Sequence, residues 1–551
     1  MSTAGDRQGW LFGPAPDLLL GCGAAYLLLM GLHLSSGALL ESWVPGGVLI
    51  LLFSLPHYGA TLMRVYESAD DRARYRFFAV HATLLLVVLM GLSTHMALLG
   101  SLLLTLYLTW SPWHYTGQNY GIALILARRR GVEVSPSSKR WLHLSFVFSY
   151  AVAFLAMHGT QGDATYAPAP YGTGGIRMIS IGIPAPIAYP AMLIAGGAYL
   201  VAVTGALLQL LRGGTLTGLA PAALLVLTQS VWFVVPVFLR LTGTLANAPG
   251  PDSPFSSYGF LWVASAHAVQ YLWITVYYAA ASGSGVRRST FLGKAALAGF
   301  AVWTIPGLIF APTLLGATTY DSGLALVVAA IVNLHHFVLD GAIWKLRDGR
   351  IARVLLRPVT ERPAAPPAHE RWRLRWAGWA AGVLSIGIAL VGFWESEFGF
   401  RRALVAGDLE RAEAAIERFA WLGRDGAAKR NEVARQWATL GDYARAEVQL
   451  LRALELEPSA VARHLLGLVR EHQHRWGEAL AEYDAALQLD PSNDFTRERR
   501  AAAKLELGDP ESAVRELEGI LARDPGEERA RALLVRARLA VRAQRAGSGL
   551  D

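Results

Sequence analysis

Residues 333–345 (NLHHFVLDGAIWK) place two adjacent histidines and an aspartate at the end of a long apolar run, LALVVAAIV. On a helix His336 and Asp340 are four apart and share a face, which Asn333 joins from three residues upstream. His335 points about 100° away. An aspartate at the centre of a membrane helix costs about 2.5–3.5 kcal/mol on insertion scales, so such groups are rare unless they do something. The plainer alternative is an Asp340 at the membrane edge, paired with Lys345 or Arg347. Three more histidines stand in similar company: His57 in SLPHYGATLMRVY, His114 in SPWHYTGQNYG and His267 in SAHAVQYLW. Each has a tyrosine close by (Tyr58, Tyr115, Tyr271), and amides stand near as Gln118, Gln270 and Asn333. A ligating imidazole usually has its other ring nitrogen fixed by an acceptor, a role open to those amides.

The chemistry this set offers is metal binding. Cys22 is the one cysteine, which excludes an internal disulfide and a cysteine-rich metal site. The candidate ligands are therefore His57, His114, His267, His335, His336 and Asp340. Imidazoles with one carboxylate suit non-haem iron, with zinc, copper or manganese as alternatives. His33, His95, His158 and His143 fall near the ends of apolar segments and read as interfacial residues, with His81 intermediate. Depth favours grouping His57 and His336, which lie seven and nine residues from the basic Arg64 and Lys345, roughly 10–14 Å along their helices. By the same measure His267 is the weakest member.

These residues must be positioned by membrane helices. The mean hydropathy is +0.33, and 53% of the 551 residues are hydrophobic against 17% charged. The charges are scarce before about residue 340 and dense after 400. The expected fold is all-α: a polytopic bundle of about eleven spans, then a soluble helical domain. The spans fall at about 17–34, 46–63, 77–94, 96–127, 141–157, 181–211, 218–239, 259–281, 292–311, 323–344 and 376–395. Lys and Arg cluster in alternate loops, which the positive-inside rule places in the cytoplasm. This puts the N-terminus inside and everything after 396 outside, periplasmic in a Gram-negative cell. Residues 96–127 are long for one span, and Ser111-Pro112 should break or kink that helix. The net charge of +8 reads as basic loops on a membrane, not a nucleic-acid groove.

The expected domains are a membrane region at 1–346, a Pro-rich basic cytoplasmic linker at 347–375, a final span at 376–396 and a repeat domain at 397–545. In the last, GDLERA at 407, GDYARA at 441, HRWGEA at 474 and GDPESA at 508 recur every 34, 33 and 34 residues. Pro458, Pro491 and Pro525 close three of these units, and Ala446, Ala453, Ala479 and Ala486 fall where paired helices must approach closely. This stretch resembles the tetratricopeptide repeat family. The resemblance implies an α-solenoid that binds a protein or peptide partner.

The histidine content of the membrane region is similar in kind to the integral-membrane histidine-box oxygenases, desaturases and hydroxylases, although their HxxxH and HxxHH clusters are absent. That likeness implies a metal-dependent oxidoreductase acting on a lipid or other hydrophobic substrate. Two other readings are a lipid-modifying transferase with a His/Asp general base, and a non-enzymatic transporter or assembly scaffold.

Overall fold

The computed structural model describes residues 9–36, 46–159, 176–242, 254–282, 287–345, 349–356 and 372–547. Among these residues the regular structure is helical, apart from one isolated bridge between Gly159 and Ile183. The chain divides into two compact units. One comprises residues 1–310, 314–317 and 323–390; the other comprises 311–313, 318–322 and 391–551.

The first unit is built from α1 (Ala24–Ser36), α2 (Leu55–Tyr66), α3 (Thr83–Ser93), α4 (Ala97–Arg129), α5 (Pro136–His158), α6 (Ala185–Arg212), α7 (Leu216–Phe233), α8 (Pro254–Ala281), α9 (Arg288–Ile309), α10 (Ala325–Ile343), α11 (Gly349–Leu356) and α12 (Trp372–Trp394). Every apolar segment expected to span contains helix. Among the described residues seven helices are long and apolar enough to cross a membrane. A pair bent by 61°, Pro14–Gly21 with Ala24–Leu32, makes an eighth if taken as one span. The helix Phe77–Ser93 is shorter, and α4 and α8 are not among the seven; their polar and aromatic residues lower their hydropathy.

Helix α10 is the centre of this unit, with 78% of its apolar window buried, against 22% for α9 and 28% for α6. The outer helices turn Leu193, Ile194, Leu200 and Val201 outward, as helices facing lipid do. Close helix approach fixes α2. A Cβ on Gly59 would lie 1.8 Å from the Ala295 carbonyl oxygen, and one on Gly299 would lie 1.8 Å from that of Leu55. Paired small residues of this kind let two membrane helices touch backbone to backbone, and here they seat His57, two residues before Gly59.

Two expectations are corrected. Pro112 sits inside an unbroken 33-residue α4. Proline removes one backbone donor and so one helical bond, here that to the Leu108 carbonyl, and the helix continues through it. Within the expected linker, residues 349–356 form α11, whose Ile351 and Leu355 are buried in the core of the unit; the remainder of 347–371 lies outside the described residues. Of the loops at 35–45, 159–176 and 241–258, which carry almost no Lys or Arg, residues 37–45, 160–175 and 243–253 lie there too.

The second unit contains helix pairs: α13 (Leu409–Trp421), α14 (Ala427–Thr439), α15 (Tyr443–Leu456), α16 (Ala460–His472), α17 (Trp476–Leu489), α18 (Asp494–Glu506), α19 (Pro510–Arg523) and α20 (Glu528–Gly547). The recurring Gly-Asp has a structural cause. Gly407, Gly441 and Gly508 adopt left-handed φ of 73°, 82° and 82°, the conformation that ends a helix and favours glycine. The next residue, Asp408, Asp442 or Asp509, then caps the following helix by accepting the backbone N–H three residues on. In the third unit His474 holds the same turn at φ 60° without being glycine, and Arg475 provides no side-chain cap. Ala446, Ala453, Ala479 and Ala486 are all buried where helices meet.

Candidate metal centre

Four helices of the first unit direct polar side chains to one point. Helix α2 supplies His57 and Thr61, α4 supplies His114, α8 supplies His267 and Tyr271, and α10 supplies His336 and Asp340. His57, His267, His336 and Asp340 are 3%, 1%, 2% and 5% exposed. The Nε2 atoms of His57 and His336 lie 3.2 Å apart. Asp340 Oδ2 is 3.4 Å from His336 Nε2 and 3.7 Å from His114 Nε2. Two groups of three share His336: His57, His267 and His336, and His114, His336 and Asp340. Within each, one ligand atom per residue lies within 4.8 Å of the others. Ligand atoms that each sit about 2 Å from one ion are themselves about 3–4 Å apart, the spacing seen here.

Proton assignment sharpens this picture. His57 Nδ1 is 2.6 Å from the Ser54 carbonyl oxygen, which only accepts, so Nδ1 carries the proton and Nε2 a lone pair. On the other side runs a hydrogen-bonded chain. His336 Nδ1 meets Thr61 Oγ1 at 2.8 Å, Thr61 Oγ1 meets the Tyr271 hydroxyl at 2.6 Å, and Tyr271 donates to Asp340 Oδ1 at 2.6 Å. Trp344 Nε1 donates to the Tyr271 oxygen at 3.1 Å. Thr61 Oγ1 also reaches Asp340 Oδ1 at 3.2 Å. The Nε2 atoms of His57 and His336 thus meet across 3.2 Å, with a carboxylate oxygen beside them. In one tautomer His336 Nε2 donates to His57; with both rings protonated at Nδ1, two lone pairs converge on a point where a cation fits.

The other imidazoles are also free to ligate. His267 has neither ring nitrogen hydrogen-bonded among the described residues, and His114 Nε2 is buried and equally unpartnered. Both rings are held by stacking, His267 on Tyr115 at 4.1 Å and His114 on Phe337 at 4.4 Å between centroids. Buried polar atoms without partners are uncommon and call for an explanation.

Not every expected residue joins the cluster. His335 points away and its Nε2 meets Thr83 Oγ1 at 2.8 Å, so it belongs to neither group. None of the three amides fixes an imidazole. Gln118 donates to the His267 carbonyl oxygen and to Gln270 Oε1, Gln270 donates to the Gly21 carbonyl oxygen, and Asn333 accepts from the Tyr58 hydroxyl while donating to the Ala329 carbonyl oxygen. Ser54 and Thr61 hold the rings instead. Thr61 lies four residues after His57, and Trp344 four after Asp340, so helical spacing alone marks both as facing the site. His158, the last residue of α5, is buried and tied to Thr109 and to the Ile181 amide. His95 contacts the Leu315 carbonyl oxygen, while the side chain of His33 lies outside the described residues.

Comparison with known proteins bears on the second unit. Residues 472–539 match the family model of the tetratricopeptide repeat. The C-terminal helical pairs are tetratricopeptide repeats, units that generally present surfaces for protein partners. No curated protein matches the chain.

Proposed function

We propose that the first unit is a membrane-embedded, metal-dependent oxidoreductase acting on an apolar or lipid substrate, and that the repeats recruit a protein or peptide partner. The observation that carries the metal reading is the convergence of buried imidazole nitrogens and a carboxylate, with His57 and His336 Nε2 3.2 Å apart and Asp340 Oδ2 3.4 Å from His336 Nε2. His57, His267 and His336 form one ligand set and His114, His336 and Asp340 the other, so either one ion or two ions bridged through this region fit. Nitrogen ligands with a single carboxylate and no thiolate favour iron, with zinc, copper or manganese next. Oxidative chemistry agrees with the donor set. The test supplies iron-loaded protein in nanodiscs with dioxygen and an electron donor, then follows the lipids by mass spectrometry. Gain of one oxygen or loss of two hydrogens is expected; unaltered lipid in the presence of bound iron would argue against oxidation of bilayer lipid.

A second reading has its own observation. The chain His336–Thr61–Tyr271–Asp340 is a continuous hydrogen-bonded path, and the His57–His336 contact at 3.2 Å extends it to His57. On that reading the site is a His/Asp acid–base centre, and it binds no metal.

For orientation, we propose that the basic ends of the membrane helices face the cytoplasm. Arg64 lies over the Tyr278 ring, Arg129 donates to the Leu355 and Trp10 carbonyl oxygens, and Arg350 pairs with Asp71 at 2.7 Å. The basic residues from separate loops thus gather at one end of this unit, as a common cytoplasmic face requires.

A further inference from the structure

A cavity of about 350 Å³ opens directly onto the histidine cluster. His114, Tyr271 and Asp340 form its inner end, and Trp110, Trp113, Phe337, Trp344, Ile122 and Ile125 its walls. The volume falls within the range of small-molecule sites, and so does the pattern of apolar walls with a few convergent polar groups. Three glycines, Gly117, Gly121 and Gly341, line it, and a Cβ added at any of them would meet no atom within 4 Å. Elsewhere in the unit glycines serve close helix contact, as Gly59 and Gly299 do; these three border open space. Gly117 and Gly341 are exposed, as is Trp113 at 41%. Gly117 is eleven residues before Arg128, about 16 Å along α4 from the basic end. On the orientation proposed above, that depth falls within the hydrocarbon layer. At the basic end the cavity is lined by Trp344 and Leu355, the latter on the buried face of α11.

We infer that this cavity is the substrate slot, entered sideways from the bilayer between α4 and α10, and that it takes the acyl chain of a membrane lipid with a mid-chain segment against His114 and Asp340. This rests on the proposed metal reading for its chemistry but not for its geometry. The walls are mostly apolar, with Gln118 the one side-chain amide among them, and no cationic side chain lines the cavity to hold a headgroup. An acyl chain meets those conditions; a charged or water-soluble substrate does not.

The test uses the full chain in phospholipid nanodiscs with a fatty acid bearing a mid-chain diazirine, photolysed and mapped by mass spectrometry. Leu102 and Leu106 on the outward face of α4, 51% and 49% exposed, report labelling from bulk lipid. In the wild type, label above that background is expected on residues 110–121 and 337–344. Gly117→Leu and Gly121→Leu fill open space without displacing a neighbour and raise helical propensity, so both should remain folded. In both, cavity labelling should fall to the Leu102 level while metal content stays unchanged. Cavity labelling that equals bulk labelling in the wild type, or that persists undiminished in both variants, overturns the proposal. A protein that labels as expected but binds no metal would leave the slot standing and remove the metal centre.

Discussion

His57 and His336, 279 residues apart in sequence, face each other through Nε2 atoms 3.2 Å apart. The Ser54 carbonyl oxygen holds one ring and Thr61 the other, each through Nδ1, so both Nε2 atoms point into the same small volume. Fixing the far nitrogen is how proteins commonly orient a ligating imidazole, and the account of this site follows from that pairing.

Thr61 is the link that makes the arrangement rigid, since its hydroxyl touches His336, Tyr271 and Asp340 at once. Thr61→Val keeps the shape and removes the hydroxyl. Metal affinity, measured by chelator competition, should fall about 10–100-fold, while Thr61→Ser should stay near wild type. Equal affinity in all three would show that Thr61 only fills space.

The repeat unit carries a pH response of its own. Burial pushes the His464 imidazole down to about 4 from its ordinary 6.5, in a site where it meets Thr496 Oγ1 at 3.0 Å. Its folded-state value lies below the unfolded one, so the folded state binds fewer protons between these limits. The stability is therefore complete above about pH 6.5 and is lost progressively as pH falls toward 4. His464→Gln should flatten the change in melting temperature between pH 6.5 and pH 5. An unchanged slope would assign the response to other groups.

His474 holds a left-handed turn that Gly407, Gly441 and Gly508 fill elsewhere. A fragment from residue 398 should be soluble, helical and cooperative in melting, and His474→Gly should stabilise it by about 1 kcal/mol through relief of that strain. A fragment that aggregates would mean that the solenoid needs the rest of the chain; a destabilised variant would mean that the His474 ring contributes more than its backbone costs.

Much of the site was legible because ionisable residues on apolar helices are conspicuous. His57, His114, His267, His336 and Asp340 stand out on that ground, and the shared face of His336 and Asp340 follows from spacing alone. His335 was equally conspicuous, and only packing against Thr83 on α3 separates it from its neighbour. The face of Thr61 was legible, one turn after His57, but its role was not: a threonine on an apolar helix is ordinary until its three partners converge on it. The three amides were plausible acceptors, but carbonyls and a hydroxyl closer in the fold took or replaced that role. Pro112 misled because its penalty is one local bond, which the rest of a long, packed helix outweighs. The repeats were read readily, since their glycines, aspartates and alanines each answer a fixed backbone or packing need.

The alternation of basic loops makes a prediction about sidedness. A reporter fused after Asp551 should behave as exported, and one inserted at 358–370 as cytoplasmic. Cytoplasmic behaviour of both would remove the final crossing and, with it, an extracytoplasmic partner for the repeats.

The central claim is tested most directly by elemental analysis of the detergent-purified full chain, wild type beside His336→Ala and His335→Ala. The wild type should hold close to one or two transition-metal ions per chain. His336→Ala, which removes the ligand common to both groups, should lose them while still inserting, and His335→Ala should keep them because its ring is engaged by Thr83. A wild type without metal, or a His336→Ala variant that keeps its full complement, would contradict the account and leave the proton-relay reading in its place.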